Sequence, residues 1–478
     1  MRRCPVDFEP VDFEPNEDAA AALFGRLHQS SPEAPAAFLD SSDHARTSAA
    51  GRSRYSILAF SLGESAQVRR CRGKEAFLAW AEEAWPFGRA ETGRTDTERE
   101  AESQFQRGQT RSGPDFQLGW VGHLGYDWDA VLFRATHAVV VDHHTASAEI
   151  QTLGEDPAWV DAVRGEIAEL TTGQVSPAPG EHRLAGLRVR DSQQQYLKKI
   201  AEAQEQIRAG NSYEVCLTTA VTGRFAGSPW QAYLRLRKQN RAPFTQYLHL
   251  PSTEGDVVIV STSPERFAQI SAAGTIRSEP IKGTRPRGDS AEEDLRLYED
   301  LASHPKDRAE NVMIADLVRN DLSVCAEPGT LRTERLCAVE TYPSVHQMVS
   351  TISAKLAPGA SRAGALAAAF PPGSMTGAPK FSTMGILRQL ETGERGPYSG
   401  AAGYFSTTGA CDLAVLIRTA VLTRTPADSH PAAGRDWDFH LGLGGAITAD
   451  SVPEDEWQEV IAKSRGVLGA LGAEFPAR

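Results

Sequence analysis

The sequence predicts an α+β fold with large mixed or antiparallel β-sheets packed against helices. Three observations lead there. Short apolar or alternating stretches recur along the chain, helical periodicity falls in clusters between them, and no steady strand–helix–strand rhythm of a parallel sheet is present.

The elements follow in order. A tandem pentapeptide, Val6 to Pro10 and then Val11 to Pro15, reads as an extended terminal strand or an ambiguous start, since two copies do not make a repeat architecture. Residues 54–60 and 66–70 alternate around a turn at Gly63, which predicts strands. Residues 88–113 are rich in Glu, Arg, Thr, Gln and Gly without apolar periodicity and predict a flexible insertion. Order returns at 116–127, where Gly119, Gly122 and Gly125 punctuate an aromatic stretch, and 138–150 reads as strand. Two prolines within 173–180 mark a linker, so the expected regions are 1–175 and 185–472.

The second region opens with a helix. Asp191 is the expected N-cap, Tyr196, Ile200, Ala203 and Ile207 share one face, and Gly210 ends it. Strands are expected at 213–224 and 257–261, and helices at 309–319, 362–370 and 383–390. Two late strands at 412–423 and 437–443 flank a loop at 426–435, and a final helix runs from about Glu454 to Leu471.

The chain has 478 residues, 41% of them hydrophobic, enough for a sizeable core. A net charge of −12 disfavours nucleic acid and anionic membranes as partners. No apolar run approaches the ~18 residues of a membrane helix, and no apolar signal segment follows Met1, so a cytoplasmic protein is expected. The six cysteines are scattered without C-x-x-C or metal-ligand spacing and read as free thiols.

Chemistry concentrates in five segments. They are Ser263-Pro264-Glu265-Arg266-Phe267, Pro280-Ile281-Lys282-Gly283-Thr284, the 306–321 stretch with Glu310, Gly373 to Lys380, and Gly444-Gly445 followed by Glu456, Glu459 and Lys463. Glycine turns offer backbone N–H groups to carboxylates, lysine and arginine pair with them, and carboxylates from two helices can hold Mg²⁺. Glu456, Glu459 and Lys463 fall on one helical face, where the alternative is a solvated surface with an internal Glu459–Lys463 pair. No P-loop, dinucleotide fingerprint or zinc-protease motif is present.

Taken in this order, the segments resemble the chorismate-utilising enzymes: anthranilate synthase component I, aminodeoxychorismate synthase component I, and the isochorismate and salicylate synthases. The resemblance is strong over 190–470 and weaker before it, and it implies that family's fold. Anthranilate synthases typically carry alanine where this chain has Lys282, whereas P-I-K-G-T is similar to the aminodeoxychorismate synthases. The water-activating lysine of isochorismate and salicylate synthases corresponds to Glu214 here, in Tyr213-Glu214-Val215-Cys216-Leu217.

The resemblance therefore implies a Mg²⁺-dependent, transaminase-type amination of chorismate leading to p-aminobenzoate. Lys282, with a lowered pKa, would attack the ring at C2, and Glu265 would protonate the departing C4 hydroxyl. Ammonia would then add at C4. Glu310 and Glu459, with Glu456 beside them, would hold Mg²⁺. Gly283, Thr284, Thr376, Tyr404, Arg418, Gly444, Gly445 and Lys463 would bind substrate, although Tyr404 and Arg418 could equally be structural. His346, one residue before the position of the anthranilate synthase histidine, is read as either an offset relative of it or a structural residue.

No cysteine sits in a G-x-C-x-G turn, so a separate glutamine amidotransferase subunit is implied as the ammonia source. The family's tryptophan pocket would fall at Ser41, Ser42, Pro243, Phe244 and Thr245, with plain core packing the alternative. Anthranilate synthase component I and a non-catalytic chorismate-binding subunit remain the competing readings.

Overall fold

In the computed structural model the described residues are 6–12, 19–41, 54–86, 115–172, 182–342, 345–424 and 436–476. The insertion expected at 88–113, the 173–180 linker, Ser42, Cys4 and the 426–435 loop lie outside them.

Two antiparallel sheets organise the molecule. The first has twelve strands and runs from Val6–Asp12 through Ser147–Leu153, His137–Asp142, Tyr55–Phe60 and Ala36–Asp40. It continues through Phe244–Leu250, Asp256–Ser263, Thr419–Arg424, Trp437–Ile447 and Glu214–Gly227 to the short Gly377–Ala378 strand. The second has ten strands, with Ile281–Pro286 at one end and Val68–Cys71 at the other. Each sheet draws strands from both sides of the 173–180 segment.

The strands are apolar on both faces because each sheet is covered twice. In Tyr55–Phe60, Leu58 and Phe60 point to a core shared with the Ala19–Ser30, Gln193–Arg208, Pro229–Gln239 and Pro453–Ala470 helices. Ile57 and Ala59 point to the opposite core, with Phe116, Phe133, Leu248 and Ile259. That alternation is the two-residue period of a strand. Each fully buried aliphatic or phenyl side chain stabilises the fold by about 1.5–3 kcal/mol relative to leaving it exposed.

The helix at Gln193–Arg208 buries Tyr196, Ile200 and Ala203 as the periodicity predicts. Its cap is Ser192 rather than Asp191: Ser192 and Gln195 form a reciprocal capping box. Asp191 is instead buried and accepts a 2.6 Å hydrogen bond from Lys199 Nζ.

The strand expected at 412–423 is broken in two, Cys411–Val415 in the second sheet and Thr419–Arg424 in the first. The chain crosses between sheets at Leu416 to Arg418, and Arg418 sits at φ +51° to make the step. The last strand runs to Ile447, so Gly444 and Gly445 lie in a strand and not in a loop beyond it. Cys71, Cys216, Cys325, Cys337 and Cys411 are buried free thiols, and no helix among the described residues is long and apolar enough to cross a membrane.

Candidate active site

The five segments converge where the two sheets' ends meet three helices. Lys282 enters from Ile281–Pro286, beside the Pro305–Ser323 helix that carries Glu310. Gly283 makes the approach possible. Its φ is +82°, and a Cβ there would lie 2.9 Å from Leu301 Cδ1 and 3.0 Å from Asp307 Cβ.

The Lys282 side chain is 10% exposed, and its Nζ donates a 2.6 Å hydrogen bond to Glu214 Oε1. Glu214 is fully buried at the start of the Glu214–Gly227 strand, and its Oε2 has no hydrogen-bond partner among the described residues. The expectation of a lowered Lys282 pKa is overturned. Burial alone would lower it, but the Glu214 and Glu310 charges and the Glu214 hydrogen bond together outweigh burial and raise it. The Glu214 contact therefore favours the protonated form of Lys282 over the free amine.

Glu265 sits in the turn between Asp256–Ser263 and Arg266–Ile270, 5% exposed, and accepts a 2.6 Å hydrogen bond from Ser374 Oγ. Burial pushes its carboxyl up to about 7, against the opposing pull of Ser374 and Lys282. A group that keeps its proton near neutral pH is what a general acid requires. Ser374 was within a segment singled out by sequence, but its role as Glu265's donor needed the fold.

The 373–376 turn is fixed from below. Arg395 is 1% exposed; its Nη1 donates to Met375 O at 2.7 Å, and its Nη2 donates to Cys216 O at 2.9 Å. It also binds Glu391 through Nε at 2.9 Å and Nη2 at 2.7 Å. It thus ties the Glu214 strand to Thr376, whose backbone carbonyl accepts from Cys216 N. Replacing Arg395 with methionine leaves Glu391 buried without its cation. We expect a loss of about 3–5 kcal/mol, read as a lowered urea midpoint with an unchanged slope.

The carboxylates assigned to metal lie on two helices. Glu310 and Glu459 both feel the charges of Lys282 and Lys306. Glu456 is buried and accepts from Ser451 Oγ at 2.6 Å, while Glu459 pairs with Lys463 at 2.7 Å, the internal pair that the spacing also allowed. Burial raises Glu310 and Glu456; burial would raise Glu459 too, but Lys463, Lys306 and Lys282 together hold it below its ordinary value.

No three His, Cys, Asp or Glu among the described residues form a closed metal cage. Mg²⁺ does not need one, since it is held by one or two carboxylates plus waters and substrate oxygens. Glu310 and Glu456 offer carboxylate oxygens, the donor type that ion takes.

Around this centre, Lys463 Nζ donates to Gly444 O at 2.9 Å, and a Cβ on Gly445 would come 3.2 Å from Glu456 Oε2. The Gly444-Gly445 strand therefore runs directly under the carboxylates. Thr376 is buried with its hydroxyl turned back to Gly373 O, and Thr284 is exposed on the Lys282 strand. The Arg418 guanidinium has no hydrogen-bond or ion-pair partner among the described residues, and burial lowers its pKa.

Tyr404 is not with this group. Its ring packs edge-on to Phe116 at 5.1 Å and lines a separate cavity of about 360 Å³ between the sheets. That cavity also takes Ser41, Pro243, Phe244 and Thr245, so four of the five residues expected at a tryptophan pocket come together there. His346 is buried between Thr341 Oγ1 at 2.9 Å and Asp294 at 3.0 Å, the arrangement of a structural residue.

Residues 66–469 match the family model described as chorismate binding enzyme. The chain belongs to the chorismate binding enzyme family. It is 43% identical over 386 residues to an aminodeoxychorismate synthase of Streptomyces griseus, covering 76% of this chain and 51% of that one. It is 36% identical over 374 residues to aminodeoxychorismate synthase component 1 of Klebsiella aerogenes, covering 77% and 74%. Anthranilate synthase component 1 of Streptomyces coelicolor is 33% identical over 391 residues, covering 75% and 73%.

The chain spans about half the length of the Streptomyces griseus relative. Among solved structures, anthranilate synthase component I of Streptococcus pneumoniae superposes with a TM-score of 0.65 at 23% identity, over 87% of this chain and 92% of that one. The menaquinone-specific isochorismate synthase MenF of Escherichia coli gives 0.67 at 17% identity, over 98% and 94%. These two establish the shared fold.

Proposed function

We propose that this chain is the chorismate-aminating component of an aminodeoxychorismate synthase, converting chorismate and ammonia to 4-amino-4-deoxychorismate. The observation that carries the reading is the buried Lys282 nitrogen held by Glu214, with the buried Glu265 carboxyl across the site. An acid and an amine facing one ring suit displacement of a hydroxyl by nitrogen.

Lys282 attacks C2 of the ring as the C4 hydroxyl leaves with the proton of Glu265. Ammonia then adds at C4, lysine is expelled, and the enolpyruvyl side chain stays. Arg418, which has no anion to pair with among the described residues, binds a substrate carboxylate, and Lys463 with the Gly444-Gly445 strand lines the same site. Glu310 and Glu459, with Glu456, would hold Mg²⁺, which supplies positive charge for the ring carboxylate. A glutamine amidotransferase subunit supplies the ammonia, in keeping with the "component 1" name of the Klebsiella relative. The cavity lined by Ser41, Thr245 and Tyr404 is proposed as the tryptophan pocket, and the protein as cytoplasmic.

The second reading, anthranilate synthase component I, is favoured only by relatives such as the Streptomyces coelicolor enzyme. Incubation with chorismate, Mg²⁺ and ammonium, followed by mass analysis, separates the two. We expect 4-amino-4-deoxychorismate with no released pyruvate; fluorescent anthranilate formed without an added lyase would overturn the assignment.

A further inference from the structure

We infer that Glu214 is the base that takes the proton from Lys282 and returns it in each turnover. The inference rests on the proposed amination and assigns a role to a residue which that reading leaves idle.

The argument begins from a difficulty. Lys282 must attack as an amine, yet its nitrogen donates a 2.6 Å hydrogen bond to a carboxylate, a contact that favours the ammonium form. Its proton has few places to go. The side chain is only 10% exposed, so bulk water is a poor acceptor. Glu214 is the one carboxylate hydrogen-bonded to Nζ among the described residues, it is itself fully buried, and no other donor occupies either of its oxygens.

Among the described residues, the other charged or titratable groups that face Lys282 do so through space. They are Cys216 on Glu214's own strand, Glu265 across the site, Glu310 on the Pro305–Ser323 helix and Glu459 on the last helix. None of them hydrogen-bonds Nζ. Transfer along the existing contact turns an ammonium–carboxylate pair into an amine–carboxylic acid pair, with no net charge moved out of a buried site.

The protons balance over the cycle. One N–H bond of Lys282 breaks and an O–H bond forms on Glu214. The freed lone pair forms the N–C2 bond while the C4–O bond breaks, and the hydroxyl leaves as water with the proton of Glu265. Ammonia then forms the N–C4 bond as the lysine nitrogen departs with its electron pair. The new C4 ammonium reprotonates Glu265, and Glu214 gives its proton back to Lys282. Both acids and the lysine end as they began.

Glu214→Gln keeps the shape and a hydrogen-bond partner but cannot accept a proton. With ammonium and Mg²⁺ saturating, we expect its kcat near neutral pH to fall by roughly 10²-fold, the lower end of general-base contributions, with KM for chorismate little changed. Its kcat should climb with pH as solvent hydroxide takes over, whereas the wild-type rate should not follow Lys282. Glu214→Asp should recover part of the loss.

A second readout does not use turnover. Labelling of Lys282 by an amine-selective anhydride, followed across pH by peptide mass, should reach its midpoint at lower pH in Glu214→Gln, because the carboxylate no longer holds the proton. A Glu214→Gln enzyme with the wild-type rate and pH profile, or an unshifted labelling midpoint, would overturn the inference. So would a loss equal at every pH, the mark of a structural role. If the wild-type protein makes no 4-amino-4-deoxychorismate, the proposed function fails instead, and the labelling result still stands as a measure of the pair.

Discussion

Replacing Lys282 with alanine is expected to lower 4-amino-4-deoxychorismate formation by at least about 10³-fold, the scale on which loss of a covalent nucleophile is felt. Chorismate binding in the presence of Mg²⁺ should survive, because the groups proposed to hold the substrate's carboxylates lie elsewhere, at Arg418, Gly444-Gly445 and the carboxylate helices. The variant carries a structural complication. Glu214 is fully buried and would lose its cation, and an uncompensated buried charge of this kind costs about 3–5 kcal/mol. The double variant Lys282→Ala/Glu214→Gln removes both charges and should fold close to normally while remaining inactive. Isothermal titration with chorismate alongside product assays checks both halves. Turnover near the wild-type rate in the double variant would refute the nucleophile role.

Glu265→Gln is expected to lower kcat by about 10²–10⁴-fold, the range for a general acid. In the wild type the acid must hold its proton, and burial places its titration at about 7. The kcat/KM profile should therefore decline as pH rises through about 7. Stability moves with the same group. Between the ordinary glutamate value and about 7 the folded state keeps a proton that the unfolded chain has lost, so folding stability falls as pH rises through that window. At pH 8 the native protein carries a buried anion that glutamine lacks. We expect Glu265→Gln to gain up to about 3 kcal/mol at pH 8, from the ~1.4 kcal/mol per pKa unit of this linkage, and close to nothing near pH 4. Such an opposition of activity and stability is common at active sites. Thermal midpoints at the two pH values check it, and an equal shift at both would exclude burial as the cause.

Much of this was legible in the sequence, for identifiable reasons. The strands at 54–60 and 213–224 carry apolar residues on a two-residue period or in unbroken runs, because their faces meet two different cores, whereas the single strand expected at 138–150 is a hairpin of His137–Asp142 and Ser147–Leu153. The helix at 193–208 carries its face in Tyr196, Ile200 and Ala203. What failed was what depends on partners far along the chain. Cys411–Val415 and Thr419–Arg424 look like one strand locally, and only the pairing of each with a different sheet separates them. Asp191 resembles a cap because its position in sequence is right, but Lys199 claims it as an ion-pair partner.

The site divides in the same way. Lys282, Glu265 and Glu310 stood out because lysine, glutamate and glycine rarely cluster in turns for packing alone. Their surroundings did not. A lone lysine was expected to be tuned downward by neighbouring cations, whereas Glu214, 68 residues earlier, tunes it upward. Tyr404 shares a strand with residues that point the other way, and side-chain alternation sends it to the cavity between the sheets.

The most direct measurement is a search for the bond that the mechanism requires. Protein incubated with chorismate and Mg²⁺ in the absence of ammonia, quenched and digested, should yield the Lys282 peptide heavier by one chorismate less one water, and ammonia added before the quench should discharge it. Continued turnover to 4-amino-4-deoxychorismate under conditions where Lys282 never carries that mass would contradict the account.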